Sequence, residues 1–407
     1  MNKRIKQIKD QVTGRIISLT SIRLIGLIIL PVVVLLNACE ERYWPDLGNK
    51  YEKLLVVDGK ITNQPGPYTI KLSESSTLLY PKYFPLTGYQ LIISDDAGNS
   101  ETLTETEEGT YSTAPDGIQG IIGRSYQLTV NDPFGKTYAS EFEELLPPVE
   151  IDTVYANLEY RSNAGFSFDI PGYQFYISTK PGTSDTNYIR WQLEQTHQYI
   201  VDFKIYFYYD GTLHDFPNPD SLETCWLTHS IYSIYTSSTA GLEEPKIVDY
   251  PLHYISFDTR EFSIRYSLLV EQLTISEKAQ KYWSEVADQN TTGGDLYTRL
   301  PYQIQGNMHN ILNENEPVLG YFQVAGADVK RIYIDRPKPP VLMYYSICAL
   351  LPTDYEEYGW MFRINDWREW PKYVTVDLNQ ARAVPNPVCI DCRENGGTIV
   401  KPDFWED

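Results

Sequence analysis

The chain has 407 residues, with 34 Lys and Arg against 54 Asp and Glu, giving a formal charge of −20 at pH 7. A surface this acidic repels polyanions, which excludes nucleic acid as a partner and disfavours direct contact with anionic lipid headgroups. Tyrosine is abundant at 33, beside 14 Phe and 8 Trp; that composition suits half-buried strands and chooses no ligand by itself.

The chain opens with a leader-like segment. Lys3, Arg4, Lys6, Lys9, Arg15 and Arg23 precede an apolar run from Leu24 to Leu36, which closes as Leu36-Asn37-Ala38-Cys39. Basic, then apolar, then small-before-cysteine is the layout of a bacterial lipoprotein signal peptide, removed ahead of a lipidated cysteine. The resemblance to a lipobox holds at Leu36, Ala38 and Cys39 and departs at Asn37, where a small residue is usual. We therefore expect residues 1–38 to be a signal peptide and Cys39 to carry the lipid. The competing reading, an uncleaved span from Ile16 to Ala38, carries Arg23 into the bilayer at a cost of about 2.5–3.5 kcal/mol. Two or more acyl chains on Cys39 would anchor the protein firmly, since each buried methylene contributes about 0.8 kcal/mol. Glu40 and Glu41 resemble the acidic signal that sends such lipoproteins to the cell surface. Loss of the leader removes six bases and one acid, so the processed chain carries about −25.

Residues 39–50 are polar and broken by Pro45 and Gly48, as suits a tether. From residue 51 the pattern turns to short β-rich runs: Leu54 to Asp58, Tyr68 to Leu72, Gln90 to Ser94, Gly109 to Tyr111, Ser125 to Val130 and Thr137 to Phe142. Asp95-Asp96-Ala97-Gly98-Asn99 and Asp132-Pro133-Phe134-Gly135 mark hairpin turns. Tyr126, Leu128 and Val130 alternate with Gln127 and Thr129, the pattern of a sheet covered on one face. An immunoglobulin-like sandwich over 51–148 is expected, with a boundary at Pro147-Pro148.

Residues 149–407 read as a larger β-rich domain. The strongest alternation runs from Tyr199 to Tyr209, with Tyr199, Val201, Phe203, Ile205, Phe207 and Tyr209 on one face. Further strands are expected at Tyr188 to Leu193, Tyr254 to Phe257, Ser263 to Leu273, Gly320 to Val324, Arg331 to Asp335 and Tyr373 to Asp377. One amphipathic helix stands out near 276–290: Ala279, Tyr282, Trp283, Val286 and Ala287 recur at helical spacing, and Ser276 is placed to cap it. The Tyr282 and Trp283 stripe reads as a face packed on a sheet in preference to a ligand platform.

Lipidation of Cys39 leaves Cys225, Cys348, Cys389 and Cys392, an even set suited to two bridges in an oxidising compartment. Four thiols allow three connectivities; the preferred one joins Cys225 to Cys348 and Cys389 to Cys392. Zinc or redox use of Cys389-Ile390-Asp391-Cys392 is the weaker reading, for no second CxxC or paired histidine follows it.

No catalytic residue can be nominated. His197, His214, His229, His253 and His309 show no metal-ligand spacing, no GxSxG elbow is present, and Gly117, Gly120 and Gly123 lack dinucleotide order. Asp95, Asp96 and Asn99 lack the spacing of a calcium loop. The many carboxylates allow a glycosidase pair only if the fold brings two within about 5–9.5 Å. No cofactor or metal is expected.

Several pieces together carry a family resemblance. Leu55-Val56-Val57-Asp58-Gly59, Gly306-Asn307, Pro317-Val318-Leu319-Gly320-Tyr321-Phe322 and above all Cys389-Ile390-Asp391-Cys392-Arg393, Gly396-Gly397-Thr398 and Lys401-Pro402-Asp403-Phe404-Trp405 resemble a Bacteroidota lipoprotein family, domain of unknown function 4249. That resemblance implies an outer-membrane lipoprotein associated with TonB-dependent transporters. The expectation is a surface-exposed, non-enzymatic accessory or binding component of nutrient uptake, anchored in the outer membrane by lipid, with a transporter partner and a glycan or peptide ligand. The alternatives are a glycan- or peptide-degrading surface enzyme and a structural envelope lipoprotein.

Overall fold

The computed structural model describes residues 53–76, 82–291, 304–313, 315–350 and 366–406. The signal peptide 1–38, Cys39, Glu40, Glu41 and the tether 39–50 lie outside the described residues. Residues 53–407 form one compact unit.

Among the described residues the fold is mostly β, with one long helix. Its backbone is a sheet in which eight strands follow the spatial order Thr224–Ser238, Tyr188–Ile200, Arg265–Ile275, Leu319–Asp335, Leu55–Thr62, Thr69–Glu74, Thr110–Ser112 and Thr104–Glu107, with Phe84–Pro85 added beside Thr69–Glu74. The 17-residue strand Leu319–Asp335 is the spine of this sheet. Its first half runs parallel to Leu55–Thr62, from Val56 opposite Leu319 to Thr62 opposite Ala325. Its second half runs antiparallel to Arg265–Ile275, from Thr274 opposite Gly326 to Arg265 opposite Asp335.

Two cores hang on this spine. The first packs Val57, Ile61, Ile70, Leu72 and Tyr111 of the main sheet against Leu91, Ile93, Tyr126, Leu128 and Val130 of a second sheet, forming a sandwich. Tyr126, Leu128 and Val130 are fully buried, as their alternation predicts. The Asp95 turn is a plain hairpin, its Oδ1 accepting from the Ala97 and Asn99 amides at 3.0 and 2.8 Å. The second core lies between the main sheet and a three-stranded sheet of Ile151–Arg161, Ile170–Thr179 and Tyr250–Ser256. Trp191, Phe175, Tyr266, Phe257 and Phe262 fill it.

The main sheet runs across the boundary expected at residue 148, and so does the first core. Met308, Val318, Phe322 and Val324, far along the chain, complete the first core. The link itself is pinned: the Val149 amide donates to Thr274 Oγ1 at 2.8 Å, and Gln272 Nε2 donates to the Val149 carbonyl at 2.6 Å.

The stretch Tyr199 to Tyr209 is not one strand. Tyr188–Ile200 ends there, and Phe207–Tyr209 belongs to a small separate sheet with Leu213–Asp215, Tyr373–Val376 and Arg382–Ala383. Of the six residues on the expected face, Tyr199, Val201 and Ile205 are buried, and Phe203, Phe207 and Tyr209 are half-buried. Continuity fails because the backbone turns to other partners: the Phe203 amide bonds the Cys389 carbonyl, the Tyr206 amide that of Val374, and Asp202 pairs with Arg260 at 2.6 Å.

The helix spans Glu277–Thr291, with Ser276 Oγ accepting from the Ala279 amide at 3.1 Å as its cap. Its apolar stripe rests on Leu273, Ile275, Tyr321, Ala325 and Ala327 of the main sheet.

All four downstream cysteines are bridged, but as Cys225–Cys392 and Cys348–Cys389. The preferred pairing is overturned because Cys389 and Cys392 sit in two successive 3₁₀ turns, Pro387–Cys389 and Cys392–Asn395. The first is capped by Asn386 and the second by Asp391, and a ring between neighbours would displace both.

Candidate functional site

Strand alternation gives the main sheet an outer face opposite its cores. Ile189, Trp191 and Leu193 are buried in the second core, so Arg190, Gln192 and Glu194 point the other way. Register sets Gln192 opposite Glu271 on Arg265–Ile275, and Asp58 and Lys60 of Leu55–Thr62 opposite Tyr321 and Gln323. The helix roofs one end of this polar face, and between them lies a groove of about 590 Å³.

Three of the six charged residues lining the groove have ion pairs. Lys60 Nζ donates to Gln192 Oε1 at 2.6 Å and pairs with Glu271. Glu194 pairs with Arg331 at 3.4 Å. Trp283 Nε1 donates to Gln323 Oε1 at 3.0 Å, which fixes the indole at the roof. The Arg190 guanidinium carbon lies over that indole, 3.4 Å from the ring centre.

Of the three without an ion pair among the described residues, Asp58 and Lys71 are exposed and Arg190 is the most buried. Its Nε is buried without a hydrogen-bond partner, and among the described residues no carboxylate comes within ion-pair distance of it. Burial lowers its pKa from 12.5 to about 10, with Asp58 and Glu271 opposing from farther off, so it stays charged at neutral pH. A desolvated cation without a partner is costly, and proteins retain one where a ligand completes it.

Tyr282 and Tyr321, with ring centres 4.9 Å apart, wall the groove off from a second cavity of about 430 Å³ that also touches Glu141, Lys278 and Asn307. Behind Tyr321 sits Glu143, whose Oε1 accepts from the Tyr321 hydroxyl and whose Oε2 is buried without a partner. Burial pushes the Glu143 carboxyl up from 4.5 to about 7. Asn307 holds the wall in place: its Nδ2 donates to the Phe322 carbonyl at 2.8 Å, and its Oδ1 accepts from the Phe322 amide at 2.9 Å. Gly306 and Gly320 allow that approach, since a Cβ on Gly306 would fall 1.6 Å from the Gly320 carbonyl oxygen.

A third cavity, about 410 Å³, is lined by His197, His229, Arg260, Glu261 and Cys348. Burial lowers His197 to about 4 and also lowers His253, so both are neutral at pH 7. His197 Nδ1 and Glu261 Oε2 are buried and unpartnered. Among the described residues no three His, Cys, Asp or Glu side chains are arranged to hold a metal ion.

The four bridged cysteines serve a clasp that holds the C-terminal segment. Cys225 and Cys392 are fully buried beside Tyr199 and Val201. The C-terminal residues then lie along the sheet: Thr398 bridges Trp226, Trp405 packs edge-on to Trp226 and Tyr333, and Phe404 stacks under Arg331 at 3.6 Å. None of these cysteines lines the helix-covered groove.

Arg190 carries no sequence signal, for a lone arginine in a strand is ordinary. Its outward parity between Ile189 and Trp191 was the one available cue. Tyr282 and Trp283 do pack on the sheet as expected, and Trp283 additionally presents its ring to Arg190.

No curated protein matches the chain. A family model described as a domain of unknown function, DUF4249, matches residues 40–331. The cysteine-rich C-terminal cluster, which carried the resemblance most specifically in the sequence, lies beyond the match. Both cores, the groove and its helix fall largely or wholly within it, and the chain belongs to the DUF4249 family of unknown function.

Proposed function

We propose that this protein is a surface-exposed outer-membrane lipoprotein that acts as a non-enzymatic binding or accessory component of TonB-dependent nutrient uptake. The observation that carries the binding role is the groove beneath the helix, where a half-buried arginine without an ion pair among the described residues lies over a fixed indole. Such preorganised, partly apolar concavities with few convergent polar groups are what small-ligand sites require. The Leu36-Asn37-Ala38-Cys39 sequence followed by Glu40-Glu41 supports the anchor and its outward display. Acidity suits a surface that stays solvated beside a membrane.

The test is co-purification from detergent-solubilised outer membrane, comparing wild type with Cys39→Ala. Recovery of a β-barrel transporter with the wild type, and its loss with Cys39→Ala, is expected. A processed N-terminus with an unmodified thiol, read by mass spectrometry, would overturn the anchor.

One observation favours an enzymatic reading: neutral His197 beside Glu261, each with a free buried atom facing a cavity. It requires glycan or peptide hydrolysis by the purified protein that disappears in both His197→Asn and Glu261→Gln.

A further inference from the structure

We propose that the groove captures its ligand through a carboxylate group seated on Arg190. The proposal rests on reading the groove as the ligand site of a binding protein, and it names the chemistry that site selects.

Internal pairing leaves a small positive excess. Lys60 neutralises Glu271, and Arg331, from outside the lining, neutralises Glu194. Asp58 then lies opposite Lys71 and acts on Arg190, two cations that have no ion pair among the described residues. In a chain of net charge −20, such a spot is local and attracts one negative charge, not several. A phosphate dianion would meet repulsion from Asp58, whereas a carboxylate monoanion matches the balance.

Geometry agrees with charge. A guanidinium held over an indole ring by its carbon keeps terminal N–H groups for another partner, and those groups are the fork that a planar carboxylate takes in bidentate fashion. Arg190 Nε is itself buried, so the edge left to a ligand is the terminal Nη pair, which makes no hydrogen bond among the described residues. Tyr282 and Tyr321 extend the wall beside it with apolar ring faces. The ligand is therefore a small organic acid with a body able to lie along aromatic rings. A uronic-acid saccharide and the C-terminus of a short peptide both present this chemistry.

Isothermal titration of the processed full-length protein in detergent separates the sources. Galacturonate, which carries one carboxylate, is set against its methyl ester, and an N-acetylated tripeptide with a free C-terminus against its amide. We expect one acid to bind at least about tenfold more tightly than its uncharged counterpart. Arg190→Met should abolish that preference, and Arg190→Lys, which keeps the charge but not the fork, should weaken it several-fold. Arg190→Met keeps an aliphatic stem against Trp283 and removes the unpaired donor, so the Tm of the free variant should not fall below wild type. A fallen Tm would mark Arg190 as structural and overturn the proposal. Equal binding of acid and uncharged probe, no binding of either acid, or a preference that survives Arg190→Met would also overturn it. Binding of the uncharged probes alone would leave the binding function standing while removing the carboxylate from it.

Discussion

Glu143 shows how a single buried group writes itself into the pH dependence of the whole fold. Its carboxyl is 6 % exposed, bonded to the Tyr321 hydroxyl on one oxygen and to nothing on the other. Its folded pKa, about 7, stands above the ordinary 4.5, so between those values the folded protein binds more protons than the unfolded chain. Stability therefore falls as pH rises through this window, and the carboxylate destabilises the fold above it, by up to about 3 kcal/mol. His197 works in the opposite sense. Its folded pKa of about 4 lies below the ordinary 6.5, so its contribution is lost as pH falls through that interval. The two slopes offset each other in the wild type. Glu143→Gln keeps an acceptor for Tyr321 and removes the charge. We expect urea titrations to find it more stable than wild type at pH 8, with the difference vanishing by pH 4.5. An unchanged difference across that range would show that Glu143 is not the titrating group.

Among the elements, the C-terminal clasp is the one held covalently. Cys225–Cys392 joins residues 167 apart, and Cys348–Cys389 joins residues 41 apart. On the chain-entropy account, a longer loop restrains the unfolded chain more, though only logarithmically. Replacing both members of the first bridge by serine should thus cost about 2–5 kcal/mol, and about 1 kcal/mol more than replacing both members of the second. Chemical denaturation of the two double variants measures the difference, and the reverse order would show that native packing outweighs chain entropy. The helix was legible in the sequence because its signals are local: a cap at Ser276 and an apolar stripe at 3.6-residue spacing. Three of the longer strands, Ile151–Arg161, Ile170–Thr179 and Thr224–Ser238, were not expected. Thr224–Ser238 is an edge strand with little burial, so its residues alternate weakly and look like loop. Ile170–Thr179 is buried on both faces over much of its length, and continuous burial erases a period of two.

At the scale of the molecule, Leu319–Asp335 makes the two cores interdependent. A fragment of residues 53–148 lacks that strand and also Met308–Asn310, which pairs with Thr137–Ser140. It keeps the short strands of the sandwich but loses Phe322, Val324, Val318 and Met308 from its core. We expect this fragment to unfold without a cooperative transition, while the processed chain melts in one. Two separate transitions in the full chain, or a cooperatively folded fragment, would mean that the first core stands without the spine.

The sequence by itself determined what depends on neighbours along the chain. The alternation of Tyr126, Leu128 and Val130, the Asp95 hairpin, the capped helix and the mostly β class are local in origin, and so is the lipobox-like Cys39 expectation. Only the tertiary structure decided which cysteines meet, because 3₁₀ turns aim Cys389 and Cys392 at different partners. It alone brought Arg190, Trp283 and Tyr321 to one groove, since strand register across Tyr188–Ile200, Arg265–Ile275 and Leu319–Asp335 is set by packing of the opposite face. Residues separated by nearly a hundred positions or more become neighbours only after the cores on the other side of the sheet have formed, and no short stretch of sequence records that event.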